Sequence, residues 1–158
     1  MTLLNLNSVY EGGGYKSAGV KRYDGDFKEQ HVVRPGDVIV TNTEQGHERR
    51  LIGFAALVPE RIAQPALFSH HLFRVRTHAD SGLSNDFICR WLNTSSAHDV
   101  VSGYANGTTV NMLPIDGLQS PLLCVPPKDL CAHVTSLSES SRHKQERDRK
   151  STRLNSSH

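Results

Sequence analysis

No stretch of this chain approaches the run of about 18 consecutive apolar residues that a membrane-spanning helix requires. The opening residues, Met-Thr-Leu-Leu-Asn-Leu-Asn, lack the basic flank and long apolar run of a secretion signal, so the expected location is cytoplasmic. Cysteine is scarce: Cys89, Cys124 and Cys131 are odd in number and irregular in spacing. That argues against a disulfide framework and fits reduced thiols in a cytosolic protein. An excess of positive charge is missing too once the last eleven residues, Asp148-Arg-Lys-Ser-Thr-Arg-Leu-Asn-Ser-Ser-His158, are set aside. Their back-translation can be spelled by a common short-read sequencing adapter in a single frame, and they are expected to be an assembly artefact to be left out of fold reasoning. The formal charge of +2 belongs to that tail, because residues 1–147 hold 15 basic and 15 acidic side chains.

What remains is enough for a fold. At 158 residues and 37% hydrophobic content the chain suits one domain with a real core. Residues 1–31 are glycine-rich and polar and are expected to form loops and short strands. Gly12-Gly13-Gly14-Tyr15-Lys16-Ser17 comes close to a phosphate-binding loop, but Tyr15 stands where that loop needs glycine before Lys-Ser, so nucleotide binding is rejected. Lys16, Lys21 and Arg22, near Tyr15 and Tyr23, have the chemistry of a nucleic-acid surface, since cations contact phosphates and tyrosine stacks on bases. An ordinary solvated loop is the competing and commoner explanation, because such clusters are frequent on surfaces.

Val32-Val33-Arg34-Pro35-Gly36-Asp37-Val38-Ile39-Val40-Thr41 reads as a strand pair around a Pro-Gly turn. Residues 51–58 read as another buried strand, ended by Pro59. The polar segment between them, residues 42–50, contains Asn42, Arg49 and Arg50, side chains able to read purine edges in a major groove. It is either a recognition element or a hydrophilic hairpin loop. Residues 66–76 read as a third strand, with Phe73 and Val75 on one face and Leu72, Arg74 and Arg76 on the other. His70 and His71, as strand neighbours, are expected to face opposite ways, and Cys124-x₆-Cys131 has no zinc-site spacing, so no metal centre is expected.

Helical spacing follows. Leu83-Ser84-Asn85-Asp86 supplies capping residues ahead of Phe87, Ile88, Trp91 and Leu92, and Trp91 is expected in the core. A second short helix is expected from Ser95 or Ser96, with Asp99 as capping partner and Gly103 as its stop. Asn106-Gly107 then marks a tight turn into Thr108-Thr109-Val110-Asn111-Met112-Leu113-Pro114. Thr108 and Thr109 are either strand and turn residues or DNA contacts, and Asn111 suits a backbone or a base equally. Residues 115–118 turn again, residues 121–125 read as a last apolar strand, and Pro126-Pro127 announces a helix with Leu130, Val134 and Leu137 on a heptad-like seam. So short a seam needs something to pack on.

The glycine-rich lead, the Pro-Gly-Asp-Val-Ile-Val and Leu-Phe-Arg-Val strands, the Phe-Ile-x-x-Trp-Leu helix, the Gly-Thr-Thr-Val-Asn-Met-Leu-Pro block and the Pro-Pro helix start come in a telling order. Over residues 4–147 that order resembles a target recognition domain from the specificity subunit of type I restriction–modification systems. A full subunit of that family has two such domains joined by long helices. This chain has one, is expected to be N-terminally incomplete, and stops early in its spacer helix. The resemblance implies an α+β fold, with residues 1–125 as the recognition domain, 126–147 as the start of the spacer helix and 148–158 as the non-native tail.

It further implies sequence-specific binding of double-stranded DNA, reading half of a bipartite target, with methyltransferase subunits and a restriction motor-nuclease subunit as partners. No catalytic residue, cofactor or metal is implied for this chain. In keeping with that, there is no Asn-Pro-Pro-Tyr/Phe methyltransferase motif, and neither Asp37 nor Glu44 leads into a nuclease carboxylate-x-Lys motif. The residues implied at the DNA are Lys16, Lys21, Arg22, Asn42, Arg49, Arg50, Thr108, Thr109 and Asn111. Two alternatives come from other classes. One is a cupin-like metal-binding β-barrel enzyme, for which His47 stands without a paired His-x-His, and the other is a protein-interaction module docking through its C-terminal seam. Genomic reads across the gene are expected to diverge from this sequence near Asp148 and to continue a helix; reads carrying the same tail into a stop codon would show the tail to be native.

Overall fold

The chain is an α+β fold whose centre is the four-residue strand Val38-Ile39-Val40-Thr41, buried at every position. The structure is a computed structural model that describes residues 1–46 and 48–155, leaving out the side chains of residues 138, 142–143 and 145–155. Its strands are β1 (Thr2–Leu4), β2 (Lys21–Arg22), β3 (Val32–Val33), β4 (Val38–Thr41), β5 (Thr43–Gln45), β6 (Ala55–Leu57), β7 (Ala66–Phe68), β8 (Leu72–Val75) and β9 (Val110–Met112). Its α-helices are α1 (Asn85–Leu92), α2 (Ser95–Gly103), α3 (Asp116–Gln119) and α4 (Lys128–Asn155). Among the described residues no helix is long and apolar enough to cross a membrane.

Strands alternate their side chains between two faces, and in β4 both faces are covered. In the sheet ordered β6-β4-β8, Ile39 lies opposite Ala56 and Arg74, while Val40 lies opposite Ala55 and Phe73. Ile39, Ala56 and Leu72 enter one core with Leu4, Val33 and Ala66. Val38, Val40 and Ala55 enter a second core with Cys89, Leu92 and Val101, where Phe73, Val75 and Trp91 pack against them. The sheet ordered β2-β1-β7-β3 therefore backs one face, and helices α1 and α2 back the other. Each buried Val, Ile or Leu contributes about 1.5–3 kcal/mol. The expected faces of Leu72, Arg74, Phe73 and Val75 are all observed: Arg74 reaches the carbonyl of Val32 and lies over the Phe68 ring on the first side.

Several expected strands are divided differently, because each half of a run is claimed by a different layer. The segment 32–41 is not a hairpin. Val32 and Val33 pair with β7, whereas Val38 begins pairing with β6 and β8, so the turn hands the chain from one sheet to the next. Gly36 takes φ +83° in that turn, where the Asp37 amide donates to the Arg34 carbonyl at 3.0 Å. The single strand expected over residues 66–76 breaks at a turn in which the Leu72 amide donates to the Ser69 carbonyl at 3.0 Å. As a result His70 and His71 do not point apart: their ring centroids lie 3.8 Å from each other. Of residues 51–58 only Ala55–Leu57 is strand, and Phe54 turns back to the Leu51 carbonyl at 3.1 Å. Residues 121–125 form no strand, and Leu122 is 98% exposed.

The helices follow their caps. Ser84 accepts the Phe87 amide at 3.1 Å to start α1, as expected. Helix α2 starts at Ser95 with Thr94 as the cap, accepting the Ala97 amide, in place of a box closed by Asp99. Residues expected only to turn near Ile115 form the short helix α3. Pro127 accepts the Leu130 and Cys131 amides and opens α4, which runs past residue 148 to Asn155; residues 156–158 lie outside the described residues. Helix α4 packs on α1 through buried Cys131, half-buried Val134 and a 3.2 Å contact between the Ser84 and Thr135 hydroxyls. Leu130 and Leu137, expected on the seam with Val134, remain 52% and 56% exposed.

One ion pair ties the turn to the central sheet. The Asp37 carboxylate, 7% exposed, receives Nε and Nη2 of Arg76 at 2.6 Å each and also the Arg34 amide at 2.8 Å. That hydrogen bonding raises the Arg76 pKa above its already high ordinary value. Arg76→Ala strands the carboxylate and is expected to cost about 2 kcal/mol in denaturant unfolding, below the 3–5 kcal/mol of a fully buried pair because the Arg76 side chain is 42% exposed. A loss under about 0.5 kcal/mol would mean the pair is as weak as an ordinary surface bridge.

Candidate nucleic-acid interface

Outside the two cores stands a two-stranded ribbon made by β5 and β9. It joins the two segments that sequence reasoning had singled out separately: Thr43 pairs with Met112, Glu44 with Asn111 and Gln45 with Val110. The turn into β9 depends on Gly107, whose φ of +137° suits glycine and whose Cβ, if present, would collide with the Val110 carbonyl. Asn106 and Met112 then exchange backbone hydrogen bonds at 3.1 and 2.8 Å.

The ribbon's two faces have different work. On one, the cross-strand partners Glu44 and Asn111 both hold the loop that follows β5. Glu44 Oε1 accepts the Arg50 amide at 2.9 Å, and Oε2 accepts the amides of Leu51 at 3.3 Å and Ile52 at 3.1 Å. The Asn111 side-chain amide donates to the Gly46 carbonyl, and Asn111 is 6% exposed. On the other face Gln45 is exposed, as are Val110 and Met112 at 41% and 58%.

The loop so held presents Arg49 and Arg50. Arg49 has φ +53°, a left-handed conformation costing roughly 1–2 kcal/mol for a residue with a Cβ, which the anchored loop ends sustain. The Arg50 guanidinium lies 2.7 Å from Glu48, but both side chains are more than 60% exposed, so the pair holds neither firmly. Thr108 and Thr109 are exposed at the turn before β9. His47, the residue on which a cupin-like site was weighed, lies outside the described residues.

Two of the expected contacts are buried. Asn111 serves the loop, as just described, and Asn42 is 7% exposed with its side-chain amide donating to the His70 carbonyl at 3.0 Å. Neither presents its amide to a groove. Sequence reasoning weighed Glu44 only as a nuclease carboxylate and did not place Gln45 among the DNA contacts; the polar spacing between two apolar runs marks a loop, and only the pairing with β9 shows which of its side chains hold it and which are exposed.

The first basic group lies elsewhere. Lys21 and Arg22 are exposed on β2, the edge strand of the other sheet, where charge also discourages pairing with another chain. Lys16 is half-buried with its ammonium 5.5 Å from the Tyr10 ring. Tyr15 packs against the first core, where burial raises its phenol pKa, so it offers no stacking platform. The Tyr23 hydroxyl donates to the Asp26 carbonyl at 2.9 Å. No strand pairing joins β2 to the ribbon.

A cleft of about 260 Å³ lies apart from these residues, between the end of β8, α1 and the segment after α3, lined by Val75, Ile88, Trp91 and Leu123 among others. Among the described residues no group of three or more His, Cys, Asp or Glu side chains is placed to hold a metal ion. No protein-family model matches the chain, and no curated protein matches it significantly. Glu44→Ala frees the three amides it holds and is expected to cost about 1–3 kcal/mol locally. The measure is hydrogen exchange, with protection lost at Leu51 and Ile52 and kept at Val38 to Val40; full protection at Ile52 in the variant would show that something else holds the loop.

Proposed function

We propose that this chain is a sequence-specific module for double-stranded DNA, acting as part of the specificity subunit of a type I restriction–modification complex. The observation that carries the reading is the β5–β9 ribbon with its anchored loop, which displays Gln45, Arg49, Arg50, Thr108 and Thr109 outside both cores. Arginine and glutamine present the donors and acceptors that purine edges match in the major groove, and an anchored loop loses little freedom on docking. A two-stranded ribbon is also of a size that a major groove admits.

Lys16, Lys21 and Arg22 are assigned to phosphates, which position a protein without reading sequence. With 15 charges of each sign over residues 1–147, non-specific affinity is expected to be weak. Firm binding then draws on local clustering and on the methyltransferase and motor-nuclease subunits. The exposed Leu130 and Leu137 on α4 favour docking of another helix beside it, which suits a spacer within a larger subunit. Chemistry on DNA is assigned to those partner subunits.

The test is to mix the purified chain with a random duplex pool and sequence what is retained. Enrichment of a short motif supports recognition, and an unenriched pool together with stoichiometric bound metal would favour a barrel enzyme instead. Arg49→Ala keeps the Cβ and hence the backbone strain, so its effect reports the guanidinium; it is expected to relax preference at one base position by about 1–3 kcal/mol. Lys21→Ala is expected to weaken all sequences alike and to lower the salt slope by about one. Equal effects from the two variants would remove this division of roles.

A further inference from the structure

We propose that the turn formed by His70 and His71 is a proton-operated clamp on the base of the β5–β9 ribbon, releasing the ribbon as pH falls below neutrality. The link between β4 and β5, Asn42, is bonded to this turn through both its backbone and its side chain. The Asn42 amide donates to the His71 carbonyl at 3.0 Å, the Asn42 side chain donates to the His70 carbonyl at 3.0 Å, and the Thr43 hydroxyl lies 2.9 Å from His71 Nδ1. The other strand of the ribbon leaves through the same place, since the Leu113 amide donates to the Asn42 carbonyl at 2.7 Å. This base is also where hydrogen bonding is incomplete: Asn42 Oδ1 is buried without a partner, a cost that lowers the barrier to local opening.

The two imidazoles stand with centroids 3.8 Å apart, so a proton on each sets two like charges against one another. With His71 neutral, Nδ1 is free to accept the Thr43 hydroxyl; once protonated it is a donor only. The hydroxyl can turn and accept in its place, so the driving force is the charge placed in a half-buried site beside His70. Burial first, and His70 second, lower the His71 pKa from its usual 6.5. An opened ribbon, whose His71 titrates near the usual value, therefore takes up the proton before the closed one does. The clamp is at full strength above pH 6.5 and weakens as pH falls below it.

Other charges nearby are otherwise engaged. On β5 the ionisable side chain is Glu44, which by alternation lies on the face opposite Thr43 and is occupied with the amides of residues 50–52. On β8 it is Arg74, which reaches the Val32 carbonyl. Strands β4 and β9 carry no titratable side chain.

The proposal regulates the surface assigned above to DNA, and its DNA arm rests on that assignment. Amide protection factors of the whole chain are measured by hydrogen exchange from pH 7.5 to 5.0, alongside retention of the enriched duplex. Protection at Asn42 and Leu113, whose amides donate at 3.0 and 2.7 Å at this base, is expected to fall by up to about tenfold per pH unit, the slope that one proton allows, with Val38 to Val40 unchanged. His71→Gln, which cannot titrate, is expected to abolish the fall, and His70→Gln, which removes one of the two causes that lower the His71 pKa, to make it smaller without abolishing it. An unchanged fall in both variants, or one shared equally by Val38 to Val40, would overturn the clamp. Should His71→Gln fail to fold, the absence of any ribbon-specific fall in the native chain and in His70→Gln would overturn it equally. Loss of protection with no change in duplex retention would leave the clamp standing and count against the ribbon as the DNA surface.

Discussion

Burial of β4 on both faces is the constraint from which the rest of the structure follows. A strand with one wet face needs only one layer behind it, but Val38 and Val40 demand cover on one side while Ile39 and Thr41 demand it on the other. The fold answers with a second sheet on the Ile39 side and with α1 and α2 on the Val38 and Val40 side. Every neighbouring run has to serve this three-layer arrangement. That is why the chain from residue 32 to residue 75 moves repeatedly between sheets instead of folding back on itself as hairpins.

The two ends of β4 are then given different jobs. At its start the Asp37–Arg76 pair and the Gly36 turn pin the crossing from the outer sheet. At its end Asn42 sits beneath the ribbon, gripping the backbone of His70 and His71 and accepting from Leu113. The first end is closed by a buried carboxylate with every contact satisfied, and the second is built from neutral hydrogen bonds with one buried oxygen unpartnered. The proposed recognition surface thus stands at the end of β4 whose hydrogen bonding is incomplete.

Much of the fold was legible in the residues. Helical spacing and Ser84 located α1, the Pro-Gly pair located the crossing turn, and Asn106-Gly107 located the turn before β9. Alternation in the Leu-Phe-Arg-Val run predicted the faces of β8 correctly. Partnership was not legible. Apolar runs at residues 32–41 and 66–76 look continuous because both halves of each are buried, and nothing local says that the halves are buried in different layers. The candidate site shows the same limit: arginines in a polar loop advertise exposure, but Asn42 and Asn111 look equally polar, and their burial is a consequence of long-range pairing.

By itself, then, the sequence determined the Ser84 cap, the Pro-Gly and Asn-Gly turns and the polar character of residues 42–50, because each depends on neighbours within a few positions along the chain, and the order of its motifs implied the α+β class. Only the tertiary structure decided that this polar segment pairs with residues 110–112, that Glu44 and Asn111 serve the loop while Gln45 and Arg49 are exposed, and that the rings of His70 and His71 meet at a tilt at its base. The β5–β9 pairing, the Asn111 bond to Gly46 and the Asn42 bond to His70 join residues about thirty to seventy positions apart, beyond the reach of any local pattern.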